Sequence, residues 1–331
     1  MAVIAVFGAG AAGTALAIHL ARKGEEVALW GSTYDVAALE ELRARRSHPA
    51  LPERMPEGAR ILGPDELTEA ARGAEIAVMA ASSAGARSLA GMVAPALGPE
   101  TEIAVSIAKG LEPETLKRMT EVYGEELGGR AMVALSGPSL ATEIAEGWPT
   151  AVMCAGAASG AAERVAVAFR SETFLTETTD DVIGLEISGT AKNVAAIAAG
   201  IVEGLAQTRQ RDMKNARAAL FTRAVHEMAD LIVAHGGRWE TAMGLGGMGD
   251  LLVTSLGGRN RLYGEAIGLG GGPAATLQEM TSRGLTVEGA QSAKEVHTLA
   301  ERAGLELPIH EAVYRVIHQG APSESILGAL R

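Results

Sequence analysis

Three glycines near the start of the chain, Gly8, Gly10 and Gly13, stand in the spacing G-x-G-x-x-G. Glycines so spaced bind phosphate. The first makes a tight turn, the second lets the backbone approach a pyrophosphate, and the third permits close packing of helix on strand. Ala11 and Ala12 lie between the glycines, where the N–H groups of an opening helix would face the phosphates with a partial positive charge. A glycine turn alone is a weak signal in a chain with 41 glycines. Here the apolar run VIAVF precedes it and the helical GTALAIHLARKG follows. A second strand, EVALW, then ends about 20 residues further on, as a dinucleotide site requires.

A second group of residues is ionisable. Lys192 interrupts a helical stretch otherwise written in Ala, Val, Ile and Gly, Lys109 follows an apolar run, and Asp250 sits beside glycine in GMGDL. Carbonyl reduction by hydride leaves negative charge on oxygen, which calls for a proton donor and positive charge nearby. A partly desolvated lysine, its pKa lowered, suits that task. Taken alone, each residue also has a plainer reading: Lys192 as a snorkelling surface lysine, Asp250 as a turn residue, and Arg259 in GGRNR as a solvated loop cation.

The elements that would carry these residues alternate in the first half of the chain. Short apolar runs (VIAVFG, EVALWG, AEIAVMAAS, TEIAVSIAKG, MVALSGP) lack polar alternation and are spaced by helical or irregular stretches. That pattern predicts a parallel sheet covered on both faces, with right-handed crossovers. After about residue 183 strand-like runs nearly vanish and long helical patterns take over. The reading is an α/β, Rossmann-like doubly wound parallel sheet over 1–183, followed by an all-α domain over 184–331. Residues 205–215, LAQTRQRDMKN, are the most polar and least periodic and are expected to form a loop.

Composition excludes several function classes. A net charge of −11 argues against nucleic acid, although a few cations within a cleft suffice for a small anion. The one cysteine, Cys154, lies in an apolar run and is expected in the core, which fits a reducing cytoplasm. Residues 1–18 are uncharged, yet the first Arg is Arg22 and the stretch contains the glycine turn, so no secretory signal or membrane anchor is expected. No His/Cys/Asp spacing suggests a metal, and His19, His226 and His297 read as packing or surface residues.

The cofactor choice between NAD and NADP stays open. An acidic residue at the end of the second strand would bind the ribose 2′-OH and repel a 2′-phosphate. The sequence has Trp30-Gly31-Ser32-Thr33 there, with no carboxylate before Asp35, which leans slightly toward NADP. Ser32 is the expected hydroxyl contact.

Several longer patterns follow in order: AKGLEPET at 108–115, LSGPSLATEIAEGWPTAV at 135–152, AKNVAAIAAGIVEG at 191–204, NARAALFTRAVHEM at 215–228, GLGGMGDLLVTSLGGRNR at 244–261 and VEG at 287–289. With GAGAAGTALA they closely resemble the NAD(P)-dependent glycerol-3-phosphate dehydrogenase family over nearly the whole chain. The resemblance implies interconversion of dihydroxyacetone phosphate and sn-glycerol 3-phosphate for glycerophospholipid synthesis, by a cytoplasmic homodimer. It makes Lys192 the general acid for reduction, sets Lys109 beside nicotinamide and substrate, and has Asp250 orient Lys192. It implies that Asn193 and Thr254 meet substrate oxygens and that Arg259 and Asn260 meet the substrate phosphate, with Arg259 also at the cofactor. Gly137 and Ser139 would line the substrate, Ala141 the cofactor, and Glu288 the adenosine side, though Glu288 reads almost equally as a surface carboxylate at a helix start.

The chain departs from the family in the stretch between Gly204 and Asn215, which is longer and more charged, and in Ala11 and Ala12, where polar or aromatic residues are common. Two other functions compete. One is a related dehydrogenase acting on another small hydroxy acid or phosphorylated polyol. The other is a dinucleotide-binding regulator without turnover, which would have no need of Lys109, Lys192 and Asp250.

Overall fold

The structure is a computed structural model and describes residues 2–330. It divides into two compact units: one holds the residues up to Ala108 with Lys117–Val182, the other Lys109–Leu116 with the residues from Ile183 onward.

The first unit is built on eight strands: β1 (Val3–Phe7), β2 (Glu26–Trp30), β3 (Arg60–Leu62), β4 (Ile76–Met79), β5 (Ile103–Ser106), β6 (Ala131–Ser136), β7 (Thr150–Ala155) and β8 (Phe174–Thr179). They lie in the order β3-β2-β1-β4-β5-β6-β7-β8. The first six run parallel in the order of a dinucleotide-binding sheet, whose switch point falls between β1 and β4. Strand β7 joins β6 antiparallel and pairs with β8 in parallel, so the sheet is mostly rather than wholly parallel. The reason for the apolar runs is visible along β1: Ile4 and Val6 enter one core, while Ala5 and Phe7 enter the core on the opposite face. Edge strand β8 instead alternates buried Phe174 and Thr176 with exposed Leu175 and Glu177, since only one of its faces is covered. Cys154 is fully buried in β7, and burial pushes its thiol up to about 12, which leaves it inert at neutral pH.

The second unit is helical and centres on the 27-residue helix Val182–Thr208, whose residues Ala191 and Val194–Ala198 are wholly buried. A helix buried all round needs apolar residues on every face, which is what this stretch supplies. The helix Arg259–Gly268 crosses it on small residues. A Cβ on Gly200 or Gly204 would strike the Arg261 or Glu265 carbonyl, and one on Gly264 or Gly268 would strike the Ile197 or Ile201 carbonyl.

The loop expected over 205–215 is present but shorter, confined to residues 209–213. The first helix continues to Thr208 and the helix Lys214–Ala234 follows, which leaves five residues, 209–213, between them. The polar residues 209–212 make up most of that connection, and the helix flanks beside it carry polar pairs: Gln207 donates to Glu265, and Arg217 pairs with Glu203 at 2.9 Å. The short segment Lys109–Leu116 clusters with the helices because Leu111, 1% exposed, is part of their core.

Candidate active site

In the helical unit three charged side chains meet. Asp250 opens the helix Asp250–Leu256 and is 1% exposed. Its Oδ2 accepts from Lys109 Nζ at 2.5 Å and its Oδ1 from Lys192 Nζ at 3.2 Å. Lys192 also donates to Thr254 Oγ1 at 2.8 Å, and the Thr254 hydroxyl donates in turn to the Asp250 carbonyl one helical turn back, at 2.7 Å. The four-residue spacing of Asp250 and Thr254 puts both on one helix face. The helix itself is preceded by a π-helical turn, Leu245–Gly249. Its glycines let the backbone pack closely: a Cβ on Gly247 would strike Ala242, and one on Gly246 would strike Leu185.

The electrostatics follow from burial and charge count. Burial pushes Lys192 down to about 8; Asp250 opposes that shift, Lys109 adds to it, and Glu288 opposes it more weakly. For Asp250 burial disfavours the charged form, but Lys109 and Lys192 together outweigh it and hold the carboxyl below its usual range. Two ammonium groups against one carboxylate leave a net positive centre within a chain of charge −11. Such a centre attracts an anion and stabilises charge developing on oxygen.

Beside Lys192, the Asn193 Oδ1 accepts from Asn260 Nδ2 at 2.9 Å, and Asn260 Oδ1 accepts from the Gly289 N–H at 3.0 Å. Asn193 is 2% exposed, and its Nδ2 finds no hydrogen-bond partner. A buried donor left unpaired is unfavourable, and a ligand oxygen is what would relieve it. Arg259 stands exposed in the first turn of its helix, after Gly258 at φ 110°, with no hydrogen bond or ion pair among the described residues. Glu288 opens the helix Glu288–Ala303 next to Gly289, on the side of the lysine cluster that its charge reaches. Lys109, Lys192, Asp250 and Thr254 form one hydrogen-bonded group, and Asn193 with Asn260 forms a second, joined to the first through the chain neighbours Lys192 and Asn193; Arg259 adjoins the second group through its chain neighbour Asn260.

The sheet unit supplies a different kind of surface. Gly8 adopts φ 119°, and a Cβ there would meet the Ala80 carbonyl carbon at 3.0 Å; a Cβ on Gly13 would meet Ala80 Cβ at 2.9 Å. Gly10 is the reverse case: a Cβ would meet nothing within 4 Å, so open space lies over the N-terminus of the helix Ala11–Lys23. No side chain caps that first turn, and Ala12 is exposed there. An open helix start over a backbone free of side chains fits a dinucleotide pyrophosphate.

Ser32 lies just past β2, and Asp35 accepts both its N–H, at 2.8 Å, and its hydroxyl, at 2.9 Å. The carboxylate that sequence spacing set too far away is therefore folded back onto Ser32. Gly137, at φ 145°, follows β6, and Ser139 Oγ donates to its carbonyl at 2.8 Å; Ala141 starts the next helical turn. Gly8, Ser32 and Gly137 all follow the carboxyl ends of parallel strands, the edge at which such sheets bind ligands. Sequence reasoning missed His48, which is buried, accepts from the Ala50 N–H on Nδ1 and lies beside the Ala9 backbone. It lies 39 residues along the chain from Ala9, and no local pattern could have revealed the pairing.

Among the described residues no group of three His, Cys, Asp or Glu side chains could hold a metal, and no helix is long and apolar enough to cross a membrane.

Comparison with known proteins covers both units. Residues 3–162 match the family description NAD-dependent glycerol-3-phosphate dehydrogenase N-terminus, and residues 181–328 match the corresponding C-terminus. The chain is 40% identical to glycerol-3-phosphate dehydrogenase [NAD(P)+] of Moorella thermoacetica, over 99% of this chain and 95% of that one. It is 33% identical to the NADP(+)-dependent glycerol-3-phosphate dehydrogenase of Archaeoglobus fulgidus, over 98% of each. Among solved structures, glycerol-3-phosphate dehydrogenase from Coxiella burnetii superposes with a TM-score of 0.88 at 34% identity, covering 99% of this chain and 98% of that one.

Proposed function

This chain belongs to the NAD-dependent glycerol-3-phosphate dehydrogenase family, and from that premise we propose that it interconverts dihydroxyacetone phosphate and sn-glycerol 3-phosphate with NADH or NADPH. The observation that carries this reading is the single buried carboxylate of Asp250 shared by Lys109 and Lys192. A regulator that merely bound dinucleotide would gain nothing from burying three charges, which is unfavourable unless they are used.

The bound nicotinamide supplies or accepts the hydride. Lys192 donates the proton to the carbonyl oxygen in reduction and removes it in oxidation, since a group with pKa about 8 can act in both directions near neutral pH. Lys109 polarises the carbonyl by its charge. Asp250 orients both ammonium groups, with Thr254 fixing the second. The unpaired Asn193 Nδ2 offers a donor to a substrate oxygen. Arg259, with a planar guanidinium suited to phosphate, and Asn260 hold the phosphate end. In the sheet unit Gly8, Gly10, Ala11, Ala12 and Gly13 receive the pyrophosphate and Ser32 the adenosine ribose. Gly137 and Ser139 are assigned to substrate, Ala141 and Glu288 to the cofactor. The product is the backbone of glycerophospholipids, and the enzyme works as a cytoplasmic homodimer.

The test is absorbance at 340 nm with purified protein, either reduced cofactor, and dihydroxyacetone phosphate or dihydroxyacetone. Oxidation that depends on the phosphorylated ketone supports the reading. Oxidation with another ketone alone moves it to a related substrate, and cofactor binding without turnover ends it.

A further inference from the structure

The Lys109 ammonium can lie against Asp250 only if the short segment that bears it is held in place. No helix or strand runs through Lys109–Leu116, only a turn closed by the Leu116 N–H on the Glu112 carbonyl at 2.8 Å. Gly110 adopts φ 153° and Leu116 φ 58°, so neither end follows an ordinary extended or helical path. Lys109 rests on Gly189, its Cβ 3.7 Å from where a side chain would begin, and Leu111 is buried in the helical core. Apolar burial of Leu111 gives depth but not direction. The direction is set by a hydrogen bond: the Leu111 N–H donates to Glu295 Oε2 at 3.3 Å.

Glu295 is an unusual partner. It lies two turns into the helix Glu288–Ala303, is 1% exposed, and its Oε1 has no hydrogen-bond partner. A carboxyl is rarely buried without reason, and the reaction as described above does not use this one. We propose that Glu295 is a positioning residue for the reduction: by holding the Leu111 backbone N–H it fixes the turn that sets Lys109 against Asp250. The inference rests on the reading of Lys109 given under the proposed function.

The environment agrees with a structural acceptor rather than a solvated charge. Burial pushes Glu295 up to about 7; the Leu111 N–H, Gln291 and Ser292 oppose that shift, while the Glu288 carboxylate adds to it. The group holding the turn is therefore partly neutral, and a neutral side chain of the same shape would serve as well. That makes glutamine the informative conservative variant. A leucine there would keep volume but remove the acceptor, leaving the Leu111 N–H buried and unpaired.

The experiment is a double-mutant cycle of Glu295→Leu with Lys109→Ala, read as kcat and KM for dihydroxyacetone phosphate, with amide hydrogen exchange of the free proteins alongside. The proposal expects Glu295→Leu to lower kcat about tenfold with KM within about twofold, and Glu295→Gln to restore all but about threefold. In the Lys109→Ala background the leucine should add less than about a twofold loss, because the two changes damage one interaction. Exchange should quicken in the segment 109–116 and not throughout the helices. Should leucine overfill the site and prevent folding, Glu295→Ala takes its place in the same cycle. Multiplicative losses, or unchanged exchange at 109–116, would overturn the proposal. If the wild-type protein turns over no dihydroxyacetone phosphate, the functional reading has failed, and the exchange pattern alone decides whether Glu295 holds the turn.

Discussion

Lys109 and Lys192 bind opposite oxygens of one carboxylate, at 2.5 and 3.2 Å from Asp250. Neither ammonium would sit beside the other without that anion between them, since like charges in a buried site repel strongly. With burial pushing the Lys192 ammonium down to about 8, both its charged and its neutral forms are accessible near neutral pH.

Asp250→Asn should accordingly be severe. Its amide cannot balance two cations, and it presents N–H groups where a lysine needs an acceptor. Steady-state kinetics should show kcat for reduction lowered about 100- to 10,000-fold, the range a positioned proton donor contributes. A loss below about tenfold would mean that Lys192 finds its orientation elsewhere.

The pH profile should follow Lys192. Reduction needs the protonated amine, so its kcat should fall as pH rises through about 8; oxidation needs the free amine and should rise over the same window. Since Asp250 raises the Lys192 pKa and Lys109 lowers it, the residual activity of Asp250→Asn should turn over at lower pH, and that of Lys109→Met at higher pH. Profiles of both variants, measured in both directions, check the sign.

Arg259 has no partner among the described residues, so removing it leaves nothing buried and unpaired. Arg259→Ala should raise KM for dihydroxyacetone phosphate roughly 10- to 100-fold, the equivalent of about 1.5–3 kcal/mol for a charged hydrogen bond. Dihydroxyacetone itself should be affected little. Equal losses on both ketones would argue against the phosphate contact.

The crossing of the helices Val182–Thr208 and Arg259–Gly268 sets Asn260 against Asn193. Gly264→Ala would force its methyl into the Ile197 carbonyl and should destabilise the helical unit by about 1–3 kcal/mol in denaturant titration. Gly328→Ala, also helical and in the same unit, where an added Cβ meets nothing within 4 Å, is the matched control. A change within about 0.5 kcal/mol is expected there.

Much of this was legible in the sequence because it is local or periodic. The glycine spacing of Gly8, Gly10 and Gly13 needs only a strand before it and a helix after it, and both are written in apolar runs. Lys192 stands out because it is the one charged residue between Glu186 and Glu203, in a stretch rich in small apolar residues. What escaped depends on turn geometry, on where helices end, or on contacts between residues far apart in the chain. The Asp35 carboxylate folding back onto Ser32 depends on a turn whose geometry the residue types leave open. The segment 205–215 reads as one loop, whereas the connection is only 209–213, because a solvated helix flank and a loop share the same polar residues. His48 and Glu295 meet Ala9 and Leu111 from far along the chain, and no spacing rule connects such pairs.

The central claim is that Lys192 transfers the proton, and Lys192→Met addresses it most directly. Methionine keeps much of the length and apolar bulk of the side chain while removing the ammonium. With saturating NADPH and dihydroxyacetone phosphate, absorbance at 340 nm should show kcat lowered by at least about 100-fold, while NADPH fluorescence titration shows binding unchanged. A variant that still turned over within tenfold of the wild type, with cofactor bound as before, would contradict the account.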